Sequence, residues 1–377
     1  MATRPRMIRS HRDAMALVRT PTRAVWLGIL LVFAFAAPLW MSNGLLFLLL
    51  AGLAYIVGAI GLNLVSGYAG QLSLGHAFFL AVGAYTAAVI SGPSTQTTFG
   101  LGINEILVWL PAAGITAGLA GFLVGPIATR LRGLYLAIVT LGLVLVGDHV
   151  LRTWTGLTGG VGFGRQAPDP TLLGLDLSTT GPILGVDVAR SALLYWFSLV
   201  VVILLTILAL NLVRSRTGRA FQAVRDRDVA AEIMGIDLTR TKLIAFTVSS
   251  AYAGIAGAML TMRLETIEAT QFNLLLSFLF IAMILIGGIA SIPGSIAGAL
   301  VIAILPDIAG PLGSVLTPVF ETLTFWRADA GFPLDEFQLE QLLYGALLIA
   351  FVLLEPRGLI GLWVRVRNYW KAFPFSY

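Results

Sequence analysis

The sequence predicts an all-α integral membrane protein of about ten transmembrane helices, some broken by glycine, with both termini on the cytoplasmic side. Three observations carry this expectation. Of the 377 residues, 58% are hydrophobic and only 11% are charged, less than half of the roughly 25% that a water-facing domain carries. Mean hydropathy is +0.90. The apolar residues fall in near-continuous runs of about twenty, the length that crosses a bilayer core of about 30 Å. Barrel strands would alternate apolar and polar residues instead. Hydrocarbon offers the backbone no hydrogen-bond partner, so runs of this kind must be helical.

Taken in order, residues 1–23 form a basic cytoplasmic tail with Arg4, Arg6, Arg9, Arg12, Arg19 and Arg23. The apolar run that follows continues to Trp40. So long and basic a lead fits an uncleaved first span better than a signal peptide cut between Ala34 and Ala37. Spans are expected at 24–41, 45–65, 68–91, 106–128, 133–150, 191–212, 243–262, 274–290, 292–309 and 337–354. Those at 68–91 and 292–309 are glycine-rich enough to be broken or re-entrant. The whole makes one transmembrane domain, 24–356, followed by a cytoplasmic tail, 357–377.

With an even number of spans, nineteen of the 24 basic residues fall on the cytoplasmic side, as the positive-inside rule requires. The exceptions are Arg152, Arg165, Arg190, Arg263 and Arg327. The long stretches 151–190 and 310–336 are then outer loops; the first contains Thr158-Gly159-Gly160-Val161-Gly162, a loop composition. Asn63–Gly75 and Gly287–Gly298 are both glycine-interrupted apolar segments, one in each half. Paired broken segments mark the pathway in secondary transporters, and by analogy these two suggest a faint duplication.

The cytoplasmic stretch 214–242 stands out. It is mixed in charge and amphipathic, with Ala220, Val224, Ala231 and Met234 at helical spacing. Thr217 is placed to cap its start and Gly235 its end. A basic inner loop resting on lipid headgroups would read this way. So would a docking helix over 217–237, held between two spans and able to pass rigid-body motion from a cytoplasmic partner.

Asn63, Ser66, Gln71, Ser73 and His76 are polar groups in an apolar tract, and Gly70 is one of the glycines that permit unwinding there. Two readings stay open: glue between helices, or the lining or gate of a translocation pathway. His76 reads more readily as a bonded core histidine than as a proton carrier. Asp148 and His149 sit at the outer end of a span.

Several classes are excluded or disfavoured. The absence of cysteine rules out disulfides and thiolate chemistry. The three histidines, His11, His76 and His149, lie on separate elements without metal-ligand spacing, and no catalytic cluster is visible, so the chain is not expected to be an enzyme. A phosphate-binding P-loop needs Gly-Lys-Ser/Thr, and the only lysines, Lys242 and Lys371, follow Thr241 and Trp370. An ion-coupled secondary transporter would leave acidic residues in mid-span, whereas the acids here lie at span ends and in loops.

Residues 214–262 resemble the coupling segment and following span of the branched-chain amino acid ABC importer permeases, through Gly218-Arg219-Ala220, Asp226 and Asp228, Gly235-Ile236 and Lys242-Leu243-Ile244-Ala245-Phe246. The family usually has glutamates where Asp226 and Asp228 stand. The similarity extends over Gly61–Leu64, Gly75–Phe79, Gly83–Tyr85, Leu131–Leu141, Thr158–Gly160 and Pro356–Leu359, and departs from the family pattern at Val146–His149 and Gly287–Gly298. It points to the second of the two paired permease types; urea and short-amide permeases look alike at this level. The resemblance implies a homologous second permease subunit, two cytoplasmic ATPase subunits and an extracytoplasmic solute-binding protein. ATP would be bound by those partners and no cofactor by this chain. It assigns coupling to Thr217, Gly218, Arg219, Asp226, Asp228, Glu232 and Gly235, and favours a pathway role for Asn63, Ser66, Gly70, Gln71, Ser73 and His76.

Overall fold

The computed structural model describes residues 21–95, 98–131, 133–160, 162, 164–167, 169–177, 181–183, 186–264, 266–323 and 357–372, with isolated positions between 342 and 355. Among the described residues it is helical, with short strands in three two-stranded antiparallel pairings. The helices are α1 (Pro21–Ala36), α2 (Asn43–Leu62), α3 (His76–Ser91), α4 (Ile106–Arg130), α5 (Leu134–Thr153), α6 (Thr155–Thr158), α7 (Arg190–Arg214), α8 (Arg216–Asp226), α9 (Asp228–Ile233), α10 (Leu238–Thr261), α11 (Leu274–Gly287), α12 (Ile292–Leu323) and α13 (Gly358–Ala372). Among the described residues, five helices are long and apolar enough to cross a membrane: α2 with the turn that extends it, α4, α5, α7 and α10. Shorter apolar stretches cover 24–39, 76–91, 274–287 and 292–308. Most of the expected span 337–354 lies outside the described residues.

Several helix starts follow from the residue that precedes them. Ser42 accepts from the Leu45 amide, Asp237 from Arg240 and Asn273 from Leu276, each satisfying a first-turn donor that the helix cannot. The expected span 68–91 is broken. The helix before it runs past Leu62 into a π-turn, Asn63–Tyr68; the chain is then non-helical through Gly75, with Gly70 at φ +68°, and becomes helical again at His76. The expected break within 292–309 does not occur. α12 is one helix that continues to Leu323, so 310–323, expected as outer loop, is helical; 324–336 lies outside the described residues.

α10 is the centre of the bundle and packs most extensively on α4, then α3 and α2. Small residues let the backbones meet. A Cβ built on Gly83 would lie 2.1 Å from the Gly254 carbonyl oxygen, and one on Gly257 would lie 2.0 Å from that of Leu80. Gly114, Gly118, Gly121 and Gly125 form a stripe on α4 against Ile255, Ala251, Ser250 and Leu243 of α10. Close small-residue contact of this kind holds helices together where lipid removes the hydrophobic drive.

The stretch 151–190 is more ordered than a plain loop. It holds α6 and three two-stranded antiparallel pairings, one of which joins Arg165–Gln166 to Thr266–Ile267. Arg165 is buried and donates to the carbonyls of Ala88, Leu157 and Phe99 at 3.0, 2.8 and 2.7 Å. It thereby ties this loop to the C-terminal end of α3.

Gly83→Ala or Gly257→Ala should force the α3–α10 contact apart and cost about 1–3 kcal/mol. Gly44→Ala, which meets nothing within 4 Å, should be neutral. Thermal melts of the detergent-solubilised variants check this.

Candidate translocation and coupling site

The two glycine-interrupted segments meet, and Asn63 joins them. Its side chain is fully buried. Nδ2 donates to the Ser295 hydroxyl at 2.7 Å, to the Ser291 carbonyl at 3.1 Å and, more weakly, to the Gly288 carbonyl at 3.5 Å. Oδ1 accepts from the Ala290 amide at 2.8 Å. Both ends of the amide are thus satisfied across the two halves of the chain. Ala290 has φ +57°, an uncommon conformation for a residue with a side chain, and its amide is held there by Asn63. Gly67 closes the arrangement: a Cβ at this position would overlap Asn63 Oδ1 and come within 2.7 Å of the Ala290 nitrogen.

The unwound stretch after the π-turn is held from three directions. The Ser66 hydroxyl donates to the Gln71 carbonyl at 3.0 Å. The Leu74 amide donates to Thr140 of α5 at 2.9 Å, and the Ala77 amide to Ser277 of α11 at 2.9 Å. Ser73 is buried and accepts from the Gly75 amide at 3.4 Å. His76 is buried with its ring edge-on to Phe280, centroids 4.9 Å apart, which is a packed core histidine. Gln71 is buried, and among the described residues neither of its amide atoms has a hydrogen-bond partner.

On the other side of this stretch lies the segment expected to couple. It differs from the single helix 217–237. α8 ends at Asp226, Arg227 is extended (φ −157°, ψ 104°), and α9 begins at Asp228. The start is capped by Ser215, whose hydroxyl accepts from Gly218, and not by Thr217. Gly218 lets α8 turn tightly beneath α7, since a Cβ there would strike the Val213 carbonyl. Arg219 donates to the Arg214 carbonyl at 3.1 Å, and Asp228 accepts from the Val229 amide at 2.9 Å. Gly235, at φ +83°, closes α9 with two bonds, from its own amide to Glu232 and from the Ile236 amide to Ala231, a Schellman cap. The buried face is Gly218, Phe221, Val224 and Ala231. Ala220 is only half-buried and Met234 is 82% exposed, so the expected apolar face is only partly the buried one. Val229, Ile233 and Met234 face outward; Asp226, Glu232 and Gly235 are exposed and Thr217 is half-buried.

Arg225, absent from the residues singled out in the sequence, connects the two parts. Its guanidinium donates to the Gly67 carbonyl at 3.0 Å, and its backbone lies against Gly70, where a Cβ would meet the Arg225 Cα at 3.1 Å. A charge run conceals such a residue, because its neighbours Asp226, Arg227 and Asp228 look the same by composition. Between these parts lies a polar recess of about 230 Å³ lined by Gly70, Gln71, Gly133, Arg225, Asp228 and Lys242. Arg225 lies near the N-terminal end of α3 and Arg165 at its C-terminal end. The 16 residues of that helix, at about 1.5 Å each, separate the two sites. Along the same helix runs an apolar groove of about 490 Å³ between α3 and α5, lined by Phe78, Val82, Tyr85, Leu143, Val146 and Val150. Among the described residues no group of histidine and carboxylate side chains is placed to hold a metal.

Residues 44–352 match the family described as branched-chain amino acid transport system / permease component. The chain is 33% identical over 337 residues to the high-affinity branched-chain amino acid transport system permease protein LivM of Escherichia coli, covering 85% of this chain and 77% of the relative. It is 26% identical to the probable LivM of Methanocaldococcus jannaschii, covering 83% and 92%. It is 24% identical to the Escherichia coli permease protein LivH, covering 82% and 92%. No solved structure matches.

Asn63→Ala should leave the Ala290 amide without its acceptor and cost about 1–3 kcal/mol of stability. Gly67→Ala, which deletes no hydrogen-bonding group but displaces Asn63, should destabilise in the same way. Both should fall together in thermal melts, and retention of wild-type melting by Gly67→Ala would disprove the close fit of Gly67 to the Asn63 amide.

Proposed function

The chain belongs to the branched-chain amino acid transport permease family, and from that premise we propose that it is one of two paired permease subunits of an ATP-driven importer of leucine, isoleucine and valine. It is a multi-pass protein of the cell membrane, and the family is one of transport permeases, not of enzymes. Similarity to both LivM and LivH supports a homologous second subunit as its partner. Two cytoplasmic ATPase subunits and an extracytoplasmic binding protein complete the assembly. In this reading the transmembrane domain covers 24–356 in ten spans. Both termini and the 214–242 segment lie inside, and the Arg165-tied loop receives the binding protein.

One observation carries the mechanism: a short helix, α9, that exposes Val229, Ile233 and Met234 is connected through Arg225 to the backbone of the broken segment. Exposed apolar side chains beside Asp228 and Glu232 on a short helix suit a protein groove. When ATP draws the ATPase subunits together, α8 and α9 move with them, and Arg225 carries that movement to Gly67 and the gate formed by Asn63, Ser66, Gly70, Gln71, Ser73 and His76. Thr217, Gly218, Arg219, Asp226, Asp228, Glu232 and Gly235 shape or flank the moving piece. The Gln71 amide, without a partner among the described residues, suits a gate: an unmet hydrogen bond favours any arrangement in which it is met. The apolar groove along α3 suits the aliphatic side chain of the cargo.

Ile233→Asp with Met234→Asp should leave the melting temperature unchanged and lower recovery of the ATPase subunit by about tenfold or more, equivalent to about 1.4 kcal/mol of binding. Gly235→Pro, or Arg219→Ala with Asp228→Ala, should preserve insertion and abolish coupled leucine uptake. Normal uptake in these variants would remove the coupling role. Uptake of radiolabelled urea in place of leucine would move the cargo to short amides.

A further inference from the structure

The tail expected at 357–377 contains a helix whose surface the transport mechanism does not use. α13 begins against the second broken segment. Gly358 lies at φ +64° with its Cα side closed by the Ile286 and Leu285 carbonyls and the Gly288 amide, and Ile360 packs on Gly288. Arg365 reaches back 2.6 Å to the buried Glu355. Gly288 also approaches the Asn63 side chain, and Asn63 lies beside Gly67, where Arg225 binds. α13 is therefore at the same end of the molecule as α8 and α9.

Beyond Gly361 the helix leaves the bundle. Leu362, Trp363, Val366, Tyr369 and Trp370 are all exposed. At about 100° per residue they share one arc of about 120°. Arg365 lies just beyond one edge of that arc and Arg367 just beyond the other. The helix 358–372 contains no acidic residue. A protein-docking face such as that of α9 is short, aliphatic and surrounded by both signs of charge. An aromatic stripe bordered on both sides by arginine is the pattern of a helix lying in a membrane interface. There the rings sit at headgroup depth and the guanidinium groups reach phosphate.

We infer that α13 lies flat in the interface of the membrane leaflet on the coupling side, with Leu362, Trp363, Val366, Tyr369 and Trp370 in the acyl boundary and Arg367 on an anionic phospholipid headgroup, while Arg365 stays paired with Glu355. The leaflet thereby holds the helix that braces the Gly288 turn. The inference needs the chain to be in a membrane and does not depend on the identity of the cargo.

The chain has no cysteine, so one introduced thiol reports one position. Full-length chain carrying Val366→Cys or Asn368→Cys, labelled with a small fluorophore, is reconstituted in phosphatidylcholine vesicles and in vesicles with a quarter phosphatidylglycerol. In the anionic vesicles, brominated lipid should quench the label at 366, and aqueous iodide should quench the label at 368. Adding Arg367→Gln should shift position 366 toward iodide by about fivefold in the anionic vesicles and hardly at all in phosphatidylcholine. Trp370→Cys serves if Val366→Cys fails to fold. Iodide access at 366 in both lipids would overturn the inference. So would equal protection in both lipids, or protection that appears only when the ATPase subunit is added, which would make the stripe a protein-docking face.

Discussion

The two broken segments, one from each half of the chain, are joined at one buried amide. Asn63 uses both of its donors and its acceptor on the turn between α11 and α12 and on Ser295 in the first turn of α12. In a low-dielectric interior a satisfied amide of this kind specifies one arrangement strongly, because every alternative leaves donors and acceptors unmet. The left-handed Ala290, the absent side chain at Gly67 and the π-turn of α2 are conditions for that fit. Backbone that leaves helical geometry at membrane depth is tolerated only where protein supplies its hydrogen bonds. Here Ser277, Thr140, Ser66 and Asn63 supply them.

From that junction the contacts extend in two directions. Arg225 joins it to α8, and through the break at Arg227 to α9. Gly288 joins it to α13. The cytoplasmic partner and the lipid leaflet are thus proposed to act on opposite sides of the same turn. No long-range wire is required, since a displacement at either helix is already adjacent to the broken segments.

Much of this is legible in the sequence. Hydropathy locates the helices because lipid demands long apolar runs, and the glycines of 61–75 announce a break that the structure has. Gly287 and Gly288 likewise mark a real break, between α11 and α12, but Gly294 and Gly298 give a false signal for α12. Gly294 and Gly298 serve close contact with Gly287 and the Met283 carbonyl, and composition does not separate a glycine that bends a helix from one that lets two helices touch. Asn63 is visible as a polar group in an apolar tract, but its partners lie more than 220 residues away and no local pattern names them. Thr217 and Ser215 are both residue types that cap, and only the backbone decides that Ser215 is the one in position. Met234 falls on the buried face of a continuous helix, but the helix ends at Ile233, so Ala231 stays buried and Met234 is exposed.

The contact of α3 and α4 with α10 has a mechanical consequence. Where Gly83 meets the Gly254 carbonyl and Gly257 meets that of Leu80, backbone touches backbone, with no side chain between to change rotamer and absorb a shift. A block built this way has no slack. It turns as a solid body or not at all, so a push at one face arrives at the other almost undiminished. The margin is built differently: α5 turns most of its apolar side chains away from the bundle, where α10 buries most of its own. At its centre the subunit is in effect a stiff lever.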